Sequence, residues 1–110
     1  MNLGSKYVNN KLDLISAALA QKMGVKQIIL FGSKAEATDR PESDLDLCVI
    51  TDLKNKRKID FMRDARRELL DLISDPLDLL VYDEEDFVRR AKLRNTLEHK
   101  IMRDGIKIHG

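Results

Sequence analysis

Two periodicities alternate along the chain. Over Ser5–Met23, Val8, Leu12, Ile15 and Leu19 recur at spacings of four, three and four, which places them on one face of a helix. Gly24 follows as a C-terminal cap. Residues 25–31 form a short apolar run rich in β-branched side chains, the pattern of a strand, which Gly32-Ser33 ends. Residues 34–37 have room for one helical turn, and Thr38-Asp39-Arg40-Pro41 is turn material, with Pro41 fixing its own φ. Residues 43–50 read as a second strand. Its alternation puts Asp44 and Asp46 on one face and Leu45 and Leu47 on the other. A charged hinge over 51–58 leads into a helix over about 57–74, with Ile59, Met62, Ala65, Leu69 and Leu72 or Ile73 as its buried stripe; Asp75-Pro76 ends it.

Residues 76–82 give a third strand, in which Leu77, Leu79 and Val81 share one face and Asp78 shares the other with Leu80 and Tyr82. Asp83 stands where it could cap a helix whose acidic start, Glu84-Glu85-Asp86, suits the helix dipole. That helix, or a pair of helices, runs to about residue 103, with Phe87, Ala91, Leu97 and Ile101 as core candidates. Gly105 interrupts, and residues 106–108 could add a short strand. The order α-β-α-β-α-β-α predicts an α/β (α+β) fold: a small mixed sheet of three to four strands with helices packed against it, in one domain over residues 1–110.

Composition narrows the function classes. The 110 residues carry 20 Lys+Arg against 19 Asp+Glu, a net charge of +1 that argues against a protein coating nucleic acid through bulk charge. The 43% hydrophobic content is too high for an acidic disordered tail. One cysteine, Cys48, excludes an internal disulfide and a multi-cysteine zinc site; its apolar surroundings mark it as a small buried thiol. The N-terminus lacks the apolar core of a signal peptide, and no run of about 18 apolar residues could span a membrane. A cytoplasmic location is the expectation.

The chemistry concentrates in residues 31–50. Two carboxylates two apart on one strand face, Asp44 and Asp46, lie about 7 Å apart at about 3.3 Å rise per residue and repel each other. A shared proton or a divalent cation would relieve them, and hard oxygen ligands suit Mg2+ or Mn2+. Asp78 is a third carboxylate in an otherwise apolar strand; if that strand lies beside the second, it completes a three-carboxylate set of the kind that clamps metals for nucleotidyl transfer. Gly32 allows a phosphate close to the backbone, the Ser33 hydroxyl adds a donor, and Lys34 adds positive charge. Neither a Walker A loop nor a G-x-G-x-x-G is present. Gly-Ser or Asp-x-Asp alone is commonplace; the joint spacing is what points to metal and nucleotide.

The stretch GSKAEATDRPESDLDL resembles the G-S-x10-D-x-D signature of the DNA polymerase β-like nucleotidyltransferase superfamily. The short length and residues 76–108 look like its minimal branch, the MNT domain proteins. Members typically carry Arg where Lys34 stands and often Gly where Ala37 stands; Lys34 keeps the charge without the bidentate fork. The resemblance implies that Gly32, Ser33 and Lys34 hold the phosphates of ATP. It implies that Asp44 and Asp46 bind Mg2+, and that Asp78 joins the metal activating an incoming hydroxyl and is a candidate to take its proton. It further implies a partner encoded nearby, a HEPN-domain toxin, with this chain as an antitoxin that transfers AMP to a toxin tyrosine within a hetero-oligomer. The alternative is an antitoxin that neutralises its partner by binding alone. Transfer to a small molecule such as an aminoglycoside usually needs a second domain.

Other signals carry less. Arg94 and His99 have the R-x4-H spacing of HEPN ribonucleases, but those domains are all-helical and this chain reads as three strands or more. His109 is expected to be disordered. Two histidines and one cysteine make zinc a poor fit. The basic groups at Lys54, Lys56, Arg57, Lys58, Arg63, Arg66 and Arg67 read as a solvated face rather than a nucleic-acid surface.

Overall fold

In the computed structural model, residues 5–32, 45–73 and 77–110 are described, those of 5–10 by backbone only. Among them the order is α1 (Ser5–Met23), β1 (Gln27–Phe31), β2 (Leu45–Thr51), α2 (Lys58–Leu70), β3 (Leu77–Asp83), α3 (Glu84–Ala91), α4 (Leu97–Asp104) and β4 (Ile106–His109). The helical turn expected at 34–37 lies outside the described residues, as does the side chain of Val8.

The four strands form one mixed sheet in the order β3-β2-β1-β4. β1 runs antiparallel to both β2 and β4, and β2 runs parallel to β3. A parallel pair needs a crossover, and α2 provides it. On one face, Leu12, Ile15 and Leu19 of α1 and Phe61, Ala65 and Leu69 of α2 pack on Ile28, Leu47, Val49 and Val81. On the other, Phe87 and Ala91 of α3 and Ile101 of α4 pack on Ile29, Cys48, Ile50 and Tyr82. β2 is therefore covered on both faces, which explains its nearly unbroken apolar run. Asp46 is the one charged side chain in that strand.

The helix stripes need small corrections. In α2 the buried set is Phe61, Ala65 and Leu69; Ile59 is 63% exposed. The helix starts at Lys58, so its inward face passes through 61 and not 59. The 84–103 segment is a pair of helices. Thr96 caps the second by accepting from the His99 amide at 3.1 Å, and its hydroxyl lies 2.8 Å from the Leu93 carbonyl. That corner turns Leu97 outward and Glu98 inward. Asp83 holds the N-cap position of α3 without capping it; its Oδ1 accepts instead from the Leu53 amide at 3.2 Å. His109 belongs to β4, opposite Ile28, because the backbone of this segment pairs with β1. The start of the edge strand β3 is held by Arg66, whose Nη1 donates to the Leu77 carbonyl at 3.2 Å.

Candidate active site

Phe31, the last residue of β1, stands opposite Asp46 in β2, and Asp46 stands opposite Asp78 in β3. Directly paired positions on neighbouring strands share a face of the sheet. Phe31, Asp46 and Asp78 therefore form one row across three strands, on the face that carries α3 and α4. Strands lie about 4.8 Å apart, so the two carboxylates are immediate neighbours. Asp46 is half-buried and Asp78 exposed. Like charges directly opposed in a sheet repel each other, so a cation held between these two carboxylates would be favourable. The donor set, hard carboxylate oxygens at an accessible sheet end, fits Mg2+ or Mn2+.

Gly32 closes the row. Its φ of 77° lies in the left-handed region, where a side chain is strained. A Cβ built there would also run into the Asp46 carboxylate. Glycine is thus demanded twice, by the turn and by the neighbouring aspartate. Ser33, Lys34 and Asp44, the remaining expected site residues, lie outside the described residues. Among the described residues no set of three His, Cys, Asp or Glu groups is placed to hold a metal; the two described carboxylates of the expected three are brought together.

A cleft of about 200 Å3 adjoins this row, between the end of β1 (Phe31, Gly32) and α4 (Leu97, Lys100, Ile101, Asp104). Its α4 wall is fixed from beneath. The Tyr82 hydroxyl donates to Glu98 Oε2 at 2.6 Å, with both side chains buried, joining β3 to α4. Burial first, and that hydrogen bond second, push the Tyr82 hydroxyl well above its ordinary pKa. Cys48, fully buried on the same face, is pushed up to about 12 by burial and then by the Glu98 charge. Such a thiol is inert. His99 is tied into the α3–α4 corner, its Nδ1 2.9 Å from the Ala91 carbonyl.

The sequence pattern does not single out Phe31 or the Tyr82–Glu98 pair. The pair had one legible signal: Glu98 lies three residues before Ile101, within the apolar stripe of α4. A larger cavity, about 930 Å3, lies at the opposite end of the sheet, around Lys22, Lys26, Asp52 and Lys54. It is an open surface flanked by the ion pairs Lys22–Glu68 and Lys26–Glu84, both 3.2 Å. The candidate site is the carboxylate row instead, where β2 and β3 bring two charged residues onto one face.

A family model described as "Polymerase beta, Nucleotidyltransferase" matches residues 13–110. No curated protein matches the chain. Among solved structures, a crystal structure of a toxin-antitoxin with AMP-PNP is similar at a TM-score of 0.63 and 19% identity, over 90% of this chain and 73% of that one. A Sulfolobus solfataricus protein, described provisionally as a nucleotidyltransferase, is similar at a TM-score of 0.57 and 18% identity, over 89% of this chain and 78% of that one. At these identities the structural likeness speaks for the fold. The family match covers nearly the whole chain and includes Asp46, Asp78 and Gly32: the chain belongs to the polymerase beta nucleotidyltransferase family.

Proposed function

We propose that this protein is a Mg2+-dependent nucleotidyltransferase that moves AMP from ATP to a hydroxyl, a tyrosine, of a HEPN-type toxin, and so acts as the antitoxin of a toxin–antitoxin pair. The observation that carries this reading is the row Asp46–Asp78 beside Gly32. The likeness to a toxin-antitoxin structure with AMP-PNP supports both the nucleotide and the partner class.

In this reading Asp44, Asp46 and Asp78 hold Mg2+, which when bound neutralises phosphate charge and favours the ionised acceptor oxygen. Gly32 leaves room for the triphosphate, and the Ser33 hydroxyl and Lys34 bind its oxygens. The acceptor oxygen attacks the α-phosphorus, the bond from that phosphorus to the β-phosphate oxygen breaks, and pyrophosphate leaves. Asp78, exposed on the edge strand, takes the proton of the acceptor in this reading.

The test combines the protein, Mg2+, each labelled nucleoside triphosphate and the protein encoded by the neighbouring gene. Label on a partner tyrosine from ATP, absent with Asp46→Asn, is the expected result. No transfer by wild type overturns the reading. If Asp46→Asn still neutralises the toxin, binding alone carries the antitoxin role.

A further inference from the structure

The cleft between Phe31-Gly32 and α4 meets the phosphate and metal chemistry above only at Gly32, and its other walls have no role in that chemistry. Three observations define it. Its lining is mainly apolar, from Phe31, Leu97 and Ile101, with Lys100 and Asp104 on the α4 side. Its volume, about 200 Å3, is below the roughly 300–1,000 Å3 of clefts that enclose a drug-sized ligand, and so suits a single ring system. Its walls are preformed: Thr96 fixes the start of α4, Glu98 is bonded to Tyr82, and Gly105 lets the end of α4 sit against β1. A Cβ on Gly105 would come within 2.5 Å of the Ile101 carbonyl and the Ile29 side chain.

Position supplies the rest. Phe31 forms one wall of the cleft and is the direct cross-strand neighbour of Asp46. Among the described residues, the nucleoside end of a nucleotide whose phosphates lie at Gly32 and Asp46 would meet the surfaces bordering that pair. The apolar slot at Phe31 is on the same face and one strand away. Flat π-faces bind to apolar and aromatic side chains without base-specific hydrogen bonds. Lys100 and Asp104 also line the cleft with opposite charges, so its pull on the base comes from the apolar surface.

We infer that the Phe31–Leu97–Ile101 cleft receives the nucleobase of the nucleoside triphosphate. This rests on the nucleotidyltransferase reading and adds the residues that grip the base. Because the slot offers shape and apolar surface more than directed donors, it favours purines over pyrimidines by area.

The test uses the intact protein with Mg2+ and compares two probes by calorimetry: a non-hydrolysable ATP analogue, and inorganic tripolyphosphate, which has no base. Leu97 is 49% exposed, so its replacement leaves the core alone. Leu97→Trp, which fills the slot, is expected to weaken the ATP analogue by roughly tenfold or more while tripolyphosphate binds as before. Leu97→Asn, which keeps the slot open but makes it polar, is expected to give a smaller loss with the same selectivity, and serves if the tryptophan variant fails to fold. Unchanged ATP-analogue affinity in the variants, or equal losses for both probes, overturns the base site while leaving the family chemistry intact. Wild type that binds neither probe overturns both.

Discussion

Gly32 and Asp46 exclude any side chain between them: a Cβ on Gly32 would occupy the space of the Asp46 carboxylate. Gly32 follows the end of β1 and Asp46 lies in β2, and the β1–β2 pairing sets them side by side. Gly32→Ala is therefore expected to cost about 1–2 kcal/mol from its left-handed φ alone, and to displace Asp46 as well. Chemical denaturation of Gly32→Ala, Asp46→Ala and the double variant checks this. The double should be more stable than the sum of the singles, since the clash is gone. Nucleotidyl transfer should be lost in all three.

The opposed carboxylates Asp46 and Asp78 predict a trade between stability and activity. In metal-free buffer Asp78→Asn should raise stability by about 0.2–1 kcal/mol, the scale of a cross-strand pair. Added Mg2+ should stabilise wild type more than the variant, which keeps only two of the three proposed carboxylate ligands. Paired thermal melts with and without Mg2+ decide it; equal responses would remove Asp78 from the metal site.

Tyr82→Phe deprives buried Glu98 of its hydrogen-bond donor and should destabilise by about 1–3 kcal/mol. Tyr82→Phe with Glu98→Leu removes both polar groups and should recover part of the loss. Urea midpoints of the singles and the double measure the coupling.

Alkali should unfold the protein through the same face. Cys48 has its pKa raised from 9.0 to about 12, and Tyr82 is raised above its ordinary value. For groups raised in the folded state, the unfolded chain loses the proton first, so the folded state binds more protons and stability falls as pH rises. The loss should begin near pH 9, where the unfolded thiol ionises, and continue toward pH 12. Cys48→Ala should flatten the first part of this slope in a pH series of melting temperatures. In the folded wild type, Cys48 should resist alkylation at pH 8 and react only on denaturation.

Much of this was legible in the sequence, and the failures have a common cause. Alternation along β2 and β3 placed Asp46 on one face and Asp78 with Leu80 and Tyr82, because strand periodicity is local. That β3 would lie parallel beside β2, with those two residues in exact register, needed the α2 crossover, which no local pattern states. Helix phase was the weak point. Ile59 and Leu97 face solvent, while Phe61 and Glu98 face inward, because each helix starts where its cap falls and not where the apolar residues are densest. His109 found order through backbone pairing, to which side-chain type is blind.

The edge position of β3 has one more consequence. Asp46 sits on an interior strand, but Asp78 rides on a strand bonded along one side only, whose start is clasped by Arg66 on the Leu77 carbonyl. Opening of that edge would separate the carboxylates while β1, β2 and Gly32 stayed in place. Site integrity is then set by the local opening free energy of a single strand rather than by global unfolding. Amide exchange along residues 77–83 is where it would first be read.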